Sequence, residues 1–366
     1  MKKQISLLLV ASMCVSLLVG CGSSTSTQVK ETDAASQQAA TTEAAELPVL
    51  RVAYMSMFNG TEINYIIKNG LDIKNGFKIE PIQFTSGAPI NEALSTDSFD
   101  VAATGGAYLF GITNFDAKVI GIYADESAGS EVWVKSDSDI AKVKGYNKDY
   151  PTVLGDPDTV KGCTILQTTG TTQQYMAVTW LKSLGLGSDD VEMVNMDPPT
   201  VYQAFASGRG DAAALAAPYC YKADPKTMTM ACQLTDFGKG VYAYLMMPSS
   251  KYKDADKKEL SLKLLKVMWQ VGSIFKDDHN AMIEAVNSYY EECGNATTKD
   301  DVIAQCEGSF FFTAEDLKDM EFGKMELEYA NFMVDEKKLE ADKIDIMKGN
   351  IDVAAFETTL KEALTK

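Results

Sequence analysis

Asn91-Glu-Ala-Leu-Ser-Thr-Asp-Ser-Phe-Asp100-Val-Ala-Ala103 has a partner further along the chain, Tyr202-Gln-Ala-Phe-Ala-Ser-Gly-Arg-Gly-Asp211-Ala-Ala-Ala214. Each reads as the end of a helix, a polar turn, an aspartate and a strand of small residues. Ala93 and Ala204 stand at the same spacing before Asp100 and Asp211. One supersecondary unit used at equivalent points of two halves predicts two similar lobes.

Working outward from each copy, strand and helix patterns alternate. In the first half Leu50–Tyr54 reads as a strand, Glu62–Lys74 as an amphipathic helix stopped by Asn75-Gly76, and Phe77–Phe84 as a second strand. A helix starts at Pro89–Leu94, and strands follow at Asp100–Ala103 and Ala117–Tyr123. After a connector near Ala128–Glu131 the pattern restarts: strand Gly162–Leu166, helix Thr172–Leu184, strand Val191–Asn195, helix Val201–Ala206, strand Asp211–Ala216. Gly240–Met247 reads as a second connector, and from Asp254 nearly everything is helical. Strands separated by helices imply α/β lobes with mostly parallel sheets flanked by helices. The expected divisions are 48–130 for the first part of lobe 1, 131–243 for lobe 2, and 244–366 for a return to lobe 1 plus C-terminal helices.

In such sheets ligands bind beyond the carboxyl ends of the strands, where helix N-termini offer free amides. The loops after the predicted strands are Ser56-Met57-Phe58-Asn59, Thr85-Ser86-Gly87, Thr104-Gly105-Gly106 and Thr168-Thr169-Gly170-Thr171-Thr172. Small hydroxylated residues and glycines let backbone approach closely and form hydrogen bonds without full charge. Thr171-Thr-Gln-Gln174 also fits a helix capping box. Phe58, Tyr108 and Tyr219 are candidate flat walls. The expected ligand-binding set is Ser56, Met57, Phe58, Ser86, Gly87, Thr104, Gly105, Gly106, Asp125, Thr169, Gly170, Thr171, Thr172 and Tyr219.

The chain starts with Met1-Lys2-Lys3 and an apolar run, Ile5–Val19, shorter than the roughly 18 residues that span a bilayer. It ends in Leu18-Val19-Gly20-Cys21, similar to the lipobox of bacterial lipoproteins. This predicts a signal peptide over 1–20 and lipid on Cys21. Two or more acyl chains, at about 0.8 kcal/mol per buried methylene, make a stable anchor. Gly22–Glu46 is Ser, Thr, Gln, Ala and Glu with hardly a large apolar side chain, so 21–47 is expected to be a flexible tether reaching roughly 25–30 Å. The formal charge of −17 grows more negative once Lys2 and Lys3 leave, which argues against nucleic acid or anionic lipid headgroups as partners.

Five cysteines lie beyond the leader and Cys21: Cys163, Cys220, Cys232, Cys293 and Cys306. Cys220–Cys232 and Cys293–Cys306 are possible pairs, but an odd number in a large domain favours free thiols. The lone histidine, His279, sits in Lys276-Asp-Asp-His-Asn-Ala281 with no nucleophile beside it. No phosphate loop and no Cys/His zinc spacing occurs, so neither catalytic residues, nor a metal, nor a cofactor is expected.

Leu50-Arg-Val-Ala-Tyr54, Phe84-Thr-Ser-Gly87, Phe99-Asp-Val-Ala-Ala-Thr-Gly-Gly106, Val160-Lys-Gly-Cys-Thr-Ile165, Gly170-Thr-Thr172 and Gly208-Arg-Gly-Asp-Ala-Ala213 through Ala217-Pro-Tyr219 occur in an order and spacing that resembles the nitrate/sulfonate/taurine and thiamine-precursor binding proteins of ABC importers. The resemblance implies a two-lobe type II periplasmic-binding-protein fold with two hinge crossovers and a C-terminal return onto lobe 1. It implies a monomer outside the cytoplasmic membrane that captures a small molecule and passes it to permease subunits served by a cytoplasmic ATPase. Two departures stand out: an insert within Asp139–Asp158, and the absence of the cysteine-rich motif of the related pyrimidine synthases, which argues against an enzyme. The family suggests a sulfonate-like solute. The scarcity of arginine (Arg51 and Arg209 only) and the acidic Asp125, Glu126 and Glu131 near the first connector leave an amine or nitrogen heterocycle open, as they do an enzyme or sensory module on the same fold.

Overall fold

In the computed structural model residues 46–365 are described; the expected signal peptide, Cys21 and nearly all of the expected tether lie outside them. The first lobe begins with β1 (Val49–Met55), α1 (Thr61–Lys68), α2 (Leu71–Lys74), β2 (Lys78–Phe84), α3 (Gly87–Ala93), β3 (Val101–Thr104), α4 (Tyr108–Phe115) and β4 (Ala117–Asp125). The chain crosses and builds β5 (Ser130–Lys135), α5 (Asp139–Lys142), α6 (Pro157–Val160), β6 (Thr164–Gln167), α7 (Thr172–Ser183), β7 (Glu192–Asn195), α8 (Pro198–Ala206), β8 (Ala212–Ala216) and β9 (Met228–Gln233). It returns through β10 (Tyr242–Pro248), then α9 (Ser249–Tyr252), α10 (Ala255–Asp277), α11 (His279–Glu292), α12 (Lys299–Gly308), β11 (Phe310–Phe311), α13 (Lys324–Asp335), α14 (Lys343–Asn350) and α15 (Val353–Leu364).

Two sheets result, ordered β11-β4-β10-β3-β1-β2 and β7-β6-β8-β5-β9. They are mixed rather than mostly parallel. β1 pairs in parallel with β2 and β3, and β6 with β7 and β8, as helical crossovers require. The two strands that begin at a crossing run the other way: β10 is antiparallel to β3 and β4, and β5 to β8 and β9. The reason is geometric. Strands β1, β3, β6 and β8 end where the lobes meet, whereas a strand arriving from the other lobe starts there and must run away from it. Gly240–Met247, expected as a connector, is therefore largely β10, inside the sheet. The expected helix over Glu62–Lys74 is two helices, because Gly70 adopts a left-handed conformation (φ 59°) between them.

Both faces of each sheet are covered. In β8, Ala212, Ala214 and Ala216 belong to the core shared with Tyr175, Met176 and Trp180 of α7, while Ala213 and Leu215 pack with Leu166, Val201 and Phe205 on the α8 side. Period-two alternation with alanine on both faces lets two helix layers approach closely. Each lobe holds a fully buried tryptophan whose indole N–H donates to a backbone carbonyl, Trp269 to Ile122 (2.9 Å) and Trp180 to Leu154 (3.0 Å). Leu154 belongs to the insert. Its N–H donates to Ala231 O at 2.9 Å, and Ile140, Val153 and Leu154 are buried in the same core as Trp180, so the insert packs on lobe 2.

The repeated aspartates do one job twice. The Asp100 N–H donates to Arg51 O (2.9 Å) and its Oδ2 accepts from Arg51 N (3.0 Å). The Asp211 N–H donates to Thr164 O (2.8 Å) and its Oδ2 accepts from Thr164 N (2.8 Å). Each clamps a small-residue strand to its parallel neighbour at the end away from the other lobe.

Candidate functional site

Where the strand ends of the two lobes face each other there is a narrow cleft, about 500 Å³ when the space open to solvent at its mouth is included. The loop after β1 contributes Met57, Phe58 and Asn59; the start of α3 contributes Ser86 and Gly87; the loop after β3 contributes Gly105 and Gly106. Opposite lie Thr171, Thr172 and Gln173 at the start of α7, with Ala216 and Ala217 at the end of β8. The hinge passes between them as Glu126, Ala128, Gly129 and Val241, and Gln305 of α12 lines the same space.

Local sequence explains the closeness. Thr171 caps α7, its Oγ1 accepting from Gln173 N at 3.3 Å, and leaves first-turn amides at the cleft. Gly106 N donates to Thr172 Oγ1 across the cleft (3.3 Å), and a Cβ on Gly106 would stand 2.7 Å from that oxygen. A Cβ on Gly105 would meet Glu126 Oε2 at 2.9 Å. The glycine pair is what permits this approach.

Glu126 is the one charged side chain among the described residues lining the cleft. Its Oε2 accepts from Asn59 Nδ2 at 3.1 Å, and Tyr123, fully buried, donates through its hydroxyl to Asn59 O at 3.3 Å. Burial pushes the Glu126 carboxyl up to about 7, against the opposing effect of the Asn59 hydrogen bond. Asn59 Oδ1 and Ser86 Oγ are buried without a protein partner. The site thus presents one titrating carboxyl, one free amide oxygen, one free hydroxyl and the amides of a helix start, with methionine and phenylalanine walls. Among the described residues no group of His, Cys, Asp and Glu is placed to hold a metal ion.

Of the expected set, Met57, Phe58, Ser86, Gly87, Gly105, Gly106, Thr171 and Thr172 line this cleft. Ser56 lies just outside; its N–H donates to Phe84 O at 3.0 Å. Thr104 is fully buried beneath Gly87. Thr169 and Gly170 are held by Asn195 and Gln174, through Thr169 N to Asn195 Oδ1 (2.8 Å) and Gly170 N to Gln174 Oε1 (3.0 Å). Tyr219 is a strut between lobes: its hydroxyl donates to Asn295 Oδ1 (3.0 Å), and Asn295 Nδ2 donates to Ser56 O (2.8 Å). Asp125 is absent from the lining; its Oδ1 accepts from Ser127 N at 2.8 Å. Asn59, Gln173, Ala216, Ala217, Val241 and Gln305 join the lining without having been expected.

Other contacts span the lobes. Lys182 pairs with Glu336 at 2.8 Å, and the Tyr175 ring packs against Tyr329 (4.5 Å) and Phe332 (5.1 Å). At the hinge Glu126 N donates to Val241 O (2.7 Å) and Val241 N donates to Ser127 Oγ (3.0 Å), tying the two crossings side by side.

The sequence profile of the NMT1-like family matches residues 43–228. The chain belongs to that family. A protein of Brachyspira hyodysenteriae that carries the provisional name of ABC transporter periplasmic binding protein is 31% identical over 303 residues, covering 83% of this chain and 87% of that protein. Among solved structures, the alkanesulfonate-binding protein SsuA of Xanthomonas axonopodis pv. citri, bound to MOPS, superposes with a TM-score of 0.65 at 16% identity, over 84% of this chain and 99% of the other. The periplasmic nitrate-binding protein NrtA of Synechocystis PCC 6803 gives 0.68 at 11% identity, over 87% and 89%. The fold of this NMT1-like chain is therefore that of the periplasmic binding proteins, as its sequence resemblance implies. The relatives also include a protein of Brucella abortus with the provisional name of binding protein, 29% identical over 46% of this chain and 48% of that protein.

Proposed function

We propose that the chain is the solute-binding component of an ABC importer, and that its cleft takes a small solute presenting an N–H or ammonium group to Glu126. The solute would be enclosed between residues 48–130 with 244–366 and residues 131–243, then passed to permease subunits driven by a cytoplasmic ATPase. The body would be a monomer held at the outer face of the cytoplasmic membrane by lipid on Cys21 and the tether after it. Among the described residues no helix is long and apolar enough to cross a membrane.

One observation carries the ligand class. The lining holds a carboxyl and neither Lys nor Arg, a poor match to a permanently charged anion and a good match to a donor-bearing solute such as an amine or nitrogen heterocycle. The sulfonate reading rests on the names of fold neighbours and on the amides of α7, which hold anions without arginine. The two readings predict opposite pH dependence, because Glu126 titrates near 7. A cation needs the ionised carboxyl, so its affinity falls by up to about tenfold per pH unit below 7 and is level above. A sulfonate needs the protonated acid and shows the reverse. Mass spectrometry of solute released by denaturing freshly purified protein, followed by calorimetry of that solute from pH 5 to 9, decides between them. A released sulfonate whose binding weakens as pH rises overturns the donor-bearing assignment.

A further inference from the structure

A second cavity lies beyond the Gly106–Thr172 contact. It measures about 920 Å³ with the space open to solvent included, and is walled by both lobes and by the hinge segment 237–242. Its lining differs in kind from that of the first. Six aromatic rings face it, those of Tyr108, Tyr175, Phe237, Tyr242, Tyr244 and Tyr329. The rings are braced in pairs, Tyr108 against Tyr244 at 4.2 Å and Tyr175 against Tyr329 at 4.5 Å. The Tyr329 hydroxyl is buried without a partner.

The charge at this cavity is reversed as well. Lys239, half-buried, places its ammonium 5.6 Å over the Tyr175 ring and 4.6 Å over Phe332. No carboxylate of the described residues lies within ion-pair distance of it. Burial lowers its proton affinity. The only carboxylate in the lining, Glu328, is exposed. A half-buried ammonium beside stacked rings, answered only at a distance by the exposed Glu328, suits an anion attached to a flat apolar body.

We propose that this cavity is a second binding site, for a planar aromatic molecule bearing an anionic group: the ring between the tyrosines, the anion on Lys239. Glu126 is not part of its lining. Its walls come from lobe 2 (Tyr175), the C-terminal return (Tyr329) and the hinge (Lys239), so an occupant holds all three together.

Calorimetry on the whole chain with benzoate, benzyl alcohol and benzylamine tests this. Benzoate is expected to bind at least about tenfold more tightly than either of the others, since a hydrogen bond to a charged group adds about 1.5–3 kcal/mol. Lys239→Met should weaken benzoate about tenfold or more, Lys239→Arg should keep most of the affinity, and Glu126→Gln should cost far less than Lys239→Met. The thermal midpoint of each variant controls for folding. Benzoate that fails to bind at millimolar concentration, binds no better than benzyl alcohol, or is indifferent to Lys239→Met overturns the site. Benzoate lost in Glu126→Gln but kept in Lys239→Met places it in the first cleft and overturns the assignment equally.

Discussion

Asp100 and Asp211 occupy the same place in the two lobes, yet they live in different surroundings. Asp211 is half-buried, and its carboxylate serves Thr164 N. Asp100 is fully buried, and besides Arg51 N it meets the Arg51 guanidinium at 2.7 Å and the Lys257 ammonium at 2.9 Å, with Lys251 at 3.8 Å. The repeated unit supplies the strand clamp. The added cations come from β1 and from the chain after β10, which passes over lobe 1 and has no counterpart over lobe 2. A duplicated motif therefore acquired a second duty only where the C-terminal return reaches it.

Asp100→Ala should do the most damage. It leaves Lys257 without a carboxylate, and Arg51 and Lys251 with only the exposed Asp97; breaking a buried pair costs about 3–5 kcal/mol, and urea denaturation at pH 7 reads it. The Arg51 and Lys257 contacts hold the Asp100 carboxyl below the usual aspartate range despite its burial. Its contribution is therefore complete above the unfolded value and is lost as pH falls through the lower folded one, so the variant should show a shallower acid limb. A loss below about 1 kcal/mol would show that the cluster adds nothing to the clamp.

Next is a contrast at the hinge. Burial raises Glu126 and Glu131 to about 7 each, so the native state prefers their protonated forms. Stability should decline as pH rises from the unfolded carboxyl value to 7, then level off. Glu126→Gln should remove part of that slope and stabilise the empty protein by about 1–3 kcal/mol at pH 8. The same variant should weaken the binding of a cationic solute. A Gln variant as pH-sensitive as the parent would move the titration elsewhere.

Asp211→Ala leaves Thr164 N unpaired but strands no cation, so about 1–2 kcal/mol is expected in the same urea assay. An effect equal to that of Asp100→Ala would erase the distinction between the lobes. The smallest change is Glu336→Gln, which breaks the partly exposed pair with Lys182: under about 1 kcal/mol in stability, read more sensitively as a rise in radius of gyration by small-angle scattering if the lobes part.

The repeated helix–turn–strand units and the small-residue loops were legible because each is local: period, cap and turn lie within a dozen residues. What sequence reading missed is set by distant partners. β5 and β9 pair with strands far along the chain, and β11 is two residues long. Glu126 was noted beside Asp125 but passed over for the site, and a single step along a strand end exchanges one face for the other. Asn59 stood in a candidate loop but was left out of the expected set, and Gln305 reaches the cleft through packing that no local pattern announces. The same holds for Glu62, fully buried with both carboxyl oxygens unpartnered and so driven strongly towards its neutral form.

The hydrogen bonds between Glu126 and Val241 and between Val241 and Ser127 weld two separate crossings into a single flat ribbon. A ribbon of that kind folds readily along one line and resists wringing. Opening of the lobes is thereby expected to follow that one crease, like a book. Glu126 lies in that crease, so whatever neutralises its carboxyl acts at the axis itself.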